Sequence, residues 1–166
     1  MSVNIEQLTR HFLAERGKVL DFSANPSMEW REVERRLEIR YPVMSVTGTE
    51  WTFLATLPPH LPSKASFGIY YQIKTRVTGL DLNEPHENPD GVKVRGSHIH
   101  RPYTEMHGVD WVDPINCPND ILVAMNLLLT SANIEPVPAD WFNPPDLGAR
   151  GNPSLWEIGK GGYRNV

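Results

Sequence analysis

Apolar residues recur at helical spacing in two stretches of the chain. In "NIEQLTRHFLAERG", Ile5, Leu8 and Phe12 form one stripe. Asn4 can cap that helix, Gln7 sits where a capping box places its return bond, and Gly17 suits the position just past the end. His11 lies one position off the stripe. In "CPNDILVAMNLLLTSAN", Ile121, Leu122, Met125, Leu128 and Leu129 share a face. Pro118 fits the first helical position, Asp120 the first turn, and Asn133 the close. The pattern predicts an amphipathic helix over about 118–132.

Between these stretches the period falls to two, the signature of strands. "KVLDFS" predicts a short strand, followed by the turn "ANPS". The charged run "WREVERRLEIRY" alternates in its second half at Leu37, Ile39 and Tyr41. "VMSVTGTEWTFLATL" predicts a hairpin about Thr47-Gly48, with Trp51, Phe53 and Ala55 on one face. "SFGIYYQIKTRV" predicts one long strand, with Phe67, Ile69, Tyr71 and Ile73 on one side and Tyr70, Gln72 and Lys74 on the other. After "HENPDG", "VKVRGSHIH" alternates again. The predicted fold class is α+β: a mostly antiparallel sheet of about five strands, an N-terminal helix, and one amphipathic helix packed on the sheet.

Length adds one boundary. The 166 residues suit a single domain, predicted over 1–134. Residues 135–166 form a Pro/Gly/aromatic-rich extension without a period, carrying Trp141, Phe142, Trp156 and Tyr163. Disordered tails are poor in aromatics, which favours docking on the domain over capture of a partner or disorder. A formal charge of −4 argues against a polyanion-binding surface over the whole molecule and leaves room for a local basic patch. One cysteine, Cys117, excludes an internal disulfide and a cysteine-based zinc site. The N-terminal stretch is polar and no apolar run reaches membrane-spanning length, so a cytoplasmic protein with no membrane association is expected.

Candidate chemistry concentrates near "GSHIH". Three of the six histidines, His86, His98 and His100, fall within fifteen residues. On a strand, His98 and His100 point the same way, roughly 6.5–7 Å apart at Cα, with Ile99 on the opposite, core-facing side. If residues 80–83 and 92–97 pair as arms of a long hairpin, His86 stands at its tip. Asp81 and Asn83 then lie near Arg95 and His98. The expected catalytic set is His98, His100, His86, Asp81 and Asn83. Arg76, Arg95, Arg101 and Tyr103 are candidates for holding an anionic substrate.

Three readings of this cluster stay open. His98 and His100 can simply be polar residues on an exposed sheet face, with His86 a turn residue. They can hold a divalent metal, zinc or iron, through His86, His98, His100 and Glu105. They can act without a cofactor as acid and base on a phosphodiester, since free imidazoles titrate near neutral pH. "GVKVRGSHIHRPYTE" resembles the first motif of the cupins, a glycine followed by HxH and a Glu. It departs in its Gly91-to-His98 spacing, one residue long, and in lacking the second motif. The run from "YYQIKTRVTGLDLN" through "HENPDG" and "GSHIHRPY" to "NDILVAMNLLL" resembles an uncharacterised bacterial and prophage family with an HxNPDG…HxH core. That pattern is also similar to small His-rich toxin components of toxin–antitoxin pairs. The resemblance covers about residues 66–133. It implies a cytoplasmic α+β protein of phage or mobile-element type, a nuclease-type hydrolase with nucleic acid as substrate, and an antitoxin as protein partner. The alternative it implies is a non-catalytic, anti-CRISPR-like inhibitor that binds a host defence protein.

Overall fold

The computed structural model describes residues 4–147 apart from residue 49. Helix α1 spans Ile5–Ala14 and helix α2 spans Ile121–Ser131. The strands are β1 (Val19–Leu20), β2 (Arg31–Val33), β3 (Arg36–Met44), β4 (Trp51–Leu57), β5 (Ser66–Tyr71), β6 (Thr75–Asp81), β7 (His86–Glu87), β8 (Lys93–Val94), β9 (His98–His100) and β10 (Val112–Pro114). Eight of them form one sheet in the order β1-β3-β4-β5-β6-β9-β10, with β2 also paired to β3; β7 and β8 form a separate pair. Every named pair is antiparallel. The α+β class and the antiparallel sheet agree with the sequence pattern. The strand count does not: about five were expected.

Two tight turns account for two of the added strands. Glu34 and Arg35 both take positive φ (49° and 67°) and split the charged run into β2 and β3. Gln72 and Ile73 do the same (51° and 60°), so the predicted single strand over 66–77 folds back as β5 and β6. Paired positive-φ residues suit the twist of a tight hairpin, but the sequence signal for them is Asn-Gly or Asp-Gly. Neither turn carries it. Apolar alternation continues unbroken to Ile73, which the structure leaves 54% exposed.

The registers divide the sheet into two faces, because directly paired residues point the same way. Ile39, Ala55, Phe67 and Leu80 lie across from one another in turn and are buried. Both helices cover this face: Phe12 of α1 stacks on Trp51 at 4.1 Å, and α2 packs on β5 and β6. Each fully buried side chain of this kind contributes roughly 1.5–3 kcal/mol. Asn4 caps α1 as expected, its Oδ1 accepting from the Gln7 amide at 2.7 Å. Its C-terminus is closed by a buried lysine. Lys18 Nζ donates to the Phe12 carbonyl at 2.7 Å and to the Glu15 carbonyl, and stands over the Phe12 ring. At α2, Asp120 is the N-cap rather than a first-turn residue, its Oδ1 accepting from the Val123 amide. Pro118 precedes the helix, and Asn133 closes it with φ 56°.

Residues 135–147 run along the domain. Val137 exchanges two bonds with the Asn126 side chain, and Trp30 Nε1 donates to the Asn143 carbonyl. Phe142 packs against the core, while Trp141 is 58% exposed. Trp156 and Tyr163 lie outside the described residues. No helix among the described residues is long and apolar enough to cross a membrane.

Candidate metal centre

The second face of the sheet carries the histidines. Strand β9 pairs with β6 in a register that sets His98 opposite Asp81 and His100 opposite Gly79. Residues 80–83 and 92–97 are therefore not the two arms of one hairpin. The intervening chain instead forms the small β7–β8 hairpin, which places His86 at its base rather than its tip. The exposed-face reading of the histidines is overturned by their burial: His98 is 1% and His100 6% exposed. Ile99 shares the Leu80 side as expected but is only half-buried.

Arg76 reaches this site along a trough left by two glycines. Gly68 and Gly79 pair directly across β5 and β6. A Cβ on Gly79 would collide with the Arg76 guanidinium; one on Gly68 would lie 2.6 Å from Tyr70 Cε2 and 3.1 Å from Arg76 Nε. The register shifts between Ile69 and Tyr70, the residue paired with Arg76. Arg76 Nη2 then donates to the Phe67 carbonyl and to Asp81 Oδ1, both at 2.8 Å. An isolated glycine in a strand signals some close approach, without naming the side chain that makes it.

Asp81 is the hub. Its Oδ1 accepts from Ser66 Oγ at 2.6 Å as well as from Arg76, and its Oδ2 lies 2.8 Å from His100 Nε2. His98 Nε2 stands 3.7 Å from the same Oδ2. Burial works to raise the Asp81 pKa. Hydrogen bonding by His100, the approach of His98 and the Arg76 guanidinium outweigh it and hold the carboxyl far below the usual carboxylate range. Asp81 is an anion at every physiological pH.

The ring nitrogens are fixed by backbone carbonyls, which only accept. His98 Nδ1 faces the Gly96 carbonyl at 3.1 Å, and His100 Nδ1 faces the Val109 carbonyl at 2.7 Å. Each Nδ1 therefore carries a proton; buried His98 Nε2 meets no donor or acceptor, and His100 Nε2 either donates to Asp81 Oδ2 or, without its proton, offers a lone pair beside it. A proton on His100 Nε2, or an ion in its place, would join it to the carboxylate, and Arg76 Nη1 lies 3.3 Å from the same nitrogen. His98, His100 and Asp81 each turn one ligand atom inward, all within 4.8 Å of one another. Around a tetrahedral zinc with ~2.05 Å bonds, ligand atoms stand roughly 3.3 Å apart; His98 and His100 Nε2 stand 3.7 and 2.8 Å from Asp81 Oδ2, on either side of that value. Carbonyl-anchored imidazoles beside a carboxylate are the outer support that metal-ligating histidines use.

Compared with known proteins, the chain matches no family model, no curated protein and no solved structure.

Of the residues singled out in the sequence, His98, His100, Asp81 and Arg76 come together, and His86 stands beside them. Its ring centroid lies 5.4 Å from that of His98 and 5.5 Å from that of His100. Asn83 does not join: its Nδ2 bonds the Ser63 carbonyl and Asn119. Glu105 is exposed, its amide bonded to Glu6, so the cupin-like ligand set is not assembled. Tyr103 packs against the core and its amide donates to the Val77 carbonyl. Arg101 forms a two-pronged pair with Asp113, at 2.8 and 2.6 Å, over Trp111. Arg95 and Arg101 line a separate open groove of about 390 Å³ with Lys93 and Trp111. His107 sits edge-on to Trp111. Sequence reasoning missed Ser66, the Gly68–Gly79 trough, and the carbonyls of Gly96, Val109 and Asp110. Backbone carbonyls have no residue-type signal.

Proposed function

We propose that the chain is a metal-dependent hydrolase whose divalent ion, zinc or iron, is held by His98, His100 and Asp81. The observation that carries this reading is the convergence of their three ligand atoms within 4.8 Å, with His98 Nε2 buried and unpaired. Two imidazoles and one carboxylate suit either metal and leave a position for water, whose pKa the ion lowers to make a nucleophile near neutral pH. A metal-free acid–base pair has less support, since both Nε2 atoms converge on one Asp81 oxygen, at 3.7 and 2.8 Å, rather than standing apart to flank a scissile bond. The substrate class, a phosphodiester, rests on the resemblance of the HxNPDG…HxH core to His-rich toxin components.

The test is hydrolysis of an activated phosphodiester and of single-stranded RNA by the purified chain, with and without chelator. The account expects turnover that a chelator abolishes and zinc or iron(II) restores. Turnover indifferent to chelation and metal would contradict it.

A second reading is favoured by a different observation. Trp141 lies edge-on to Phe22 at 5.7 Å, beside an open cavity of about 800 Å³ lined also by Pro26 and Phe142. Exposed aromatics around a concavity suit capture of a protein, here an antitoxin or a host defence protein. Trp141→Ala would abolish that activity, whereas the double substitution His98→Ala/His100→Ala would spare it.

A further inference from the structure

The β7–β8 hairpin carries the third histidine of the cluster, and what fixes it there is visible. Asn88, two residues after His86 and nearly buried, bonds both backbone groups of Val112: its Oδ1 accepts from the amide at 2.9 Å and its Nδ2 donates to the carbonyl at 3.2 Å. Val112 is the cross-strand partner of His100. The "HENPDG" run thus explains itself: Asn88 clamps the hairpin to the strand beside His100, Gly91 closes the turn with φ 83°, and His86 faces the buried rings. His86 Nε2 meets the Asp110 carbonyl at 2.7 Å, so that nitrogen carries the proton and Nδ1 keeps the lone pair.

The three ring centroids form a nearly equilateral triangle with sides of 5.2, 5.4 and 5.5 Å. Three imidazoles on one tetrahedral ion, with metal–nitrogen bonds of ~2.05 Å, place their centroids roughly 5.2 Å apart. The ligands also differ in how firmly they are held. His98, His100 and Asp81 sit on central strands, whereas His86 rides a pair of two-residue strands. It lies outside the group whose ligand atoms fall within 4.8 Å of one another.

Resting on the metal reading above, we infer that His86 is a fourth, displaceable ligand: it binds the ion of His98, His100 and Asp81 through Nδ1 when the hairpin closes, and yields its position to water or a small ligand when the hairpin opens. A tetrahedral ion with four protein ligands is closed to water, and one with three is open. The hairpin therefore switches the centre between a storage state and a reactive state.

The test uses the full chain loaded with cobalt(II), whose visible absorption reports coordination. The wild type binds one ion with a four-coordinate spectrum and takes up little added imidazole. His86→Gly binds cobalt at least roughly tenfold more weakly; free imidazole restores the affinity and the spectrum. In the zinc-loaded wild type, imidazole nitrogen NMR finds His86 bound through Nδ1, and His98 and His100 through Nε2. The NMR arm decides the matter if the glycine variant does not fold. Failure of the wild type to bind cobalt or zinc overturns the metal reading itself. Wild-type binding with an unliganded His86, or with affinity and spectrum unchanged in His86→Gly, overturns this inference alone.

Discussion

Arg76 reaches Asp81 only because two facing residues lack a Cβ. Gly79→Ala puts a methyl where the guanidinium lies, so Arg76 is pushed off and Asp81 keeps only Ser66 and the imidazoles as donors. Leaving a buried carboxylate short of its cation is costly. The expected loss is about 3 kcal/mol in urea unfolding, on the order of breaking a buried pair, and Arg76→Met, which removes the same cation, should lose a similar amount. Asp81 and the two paired histidines were visible in sequence because alternation places HxH on one side of a strand. The trough was not, because nothing in a lone glycine says which side chain will fill it. Tyr41 offers an independent residue-level check. It is fully buried, its hydroxyl donates to the Asn25 carbonyl, and burial pushes its pKa up to about 12 from 10.0. A raised pKa means the folded state resists ionisation. The contribution is whole below pH 10 and is lost as pH climbs from there through 12, by up to about 3 kcal/mol. Phenolate absorbance should show one tyrosine titrating near 12, and Tyr41→Phe should remove both that signal and part of the alkaline loss.

At the scale of elements, the β7–β8 hairpin is tied to the sheet chiefly through one side chain. Asn88→Ala removes both bonds to Val112 and leaves two backbone groups without a protein partner. The prediction is local: amide exchange over residues 86–94 quickens by at least about tenfold, the loss of roughly 1.4 kcal/mol of local stability, while β3–β6 keep their protection. Uniform acceleration across the sheet would show instead that the hairpin is part of the cooperative core. This element was half-legible. "NPDG" announced a turn, but the sequence did not reveal that the turn closes a separate small hairpin rather than the arms that carry Asp81 and His98. Strand pairing is a long-range property, and local alternation leaves the partner unstated. The two helices, by contrast, were read nearly to their ends, because caps and 3.6-residue stripes are local signals. The doubled turns at Glu34-Arg35 and Gln72-Ile73 escaped because tertiary context, not residue type, imposes their positive φ.

For the whole molecule, the sheet has one face for stability and one for chemistry. Phe67, Leu80 and their neighbours bind the helices on the first face; Ser66, Gly79, Asp81, His98 and His100 occupy the second. An ion on that second face would join β6 to β9. Because it binds the folded chain and finds no preformed site in the unfolded one, metal at a hundred times its Kd should add about 2.7 kcal/mol to stability, seen as a rise in Tm that chelator reverses. The metal content of the purified chain tests the central claim most directly. The account predicts one tightly held zinc or iron per chain in the wild type, and none in His98→Ala/His100→Ala at retained secondary structure. A wild type that takes up no divalent ion, or a double variant that holds as much as the wild type, would contradict it.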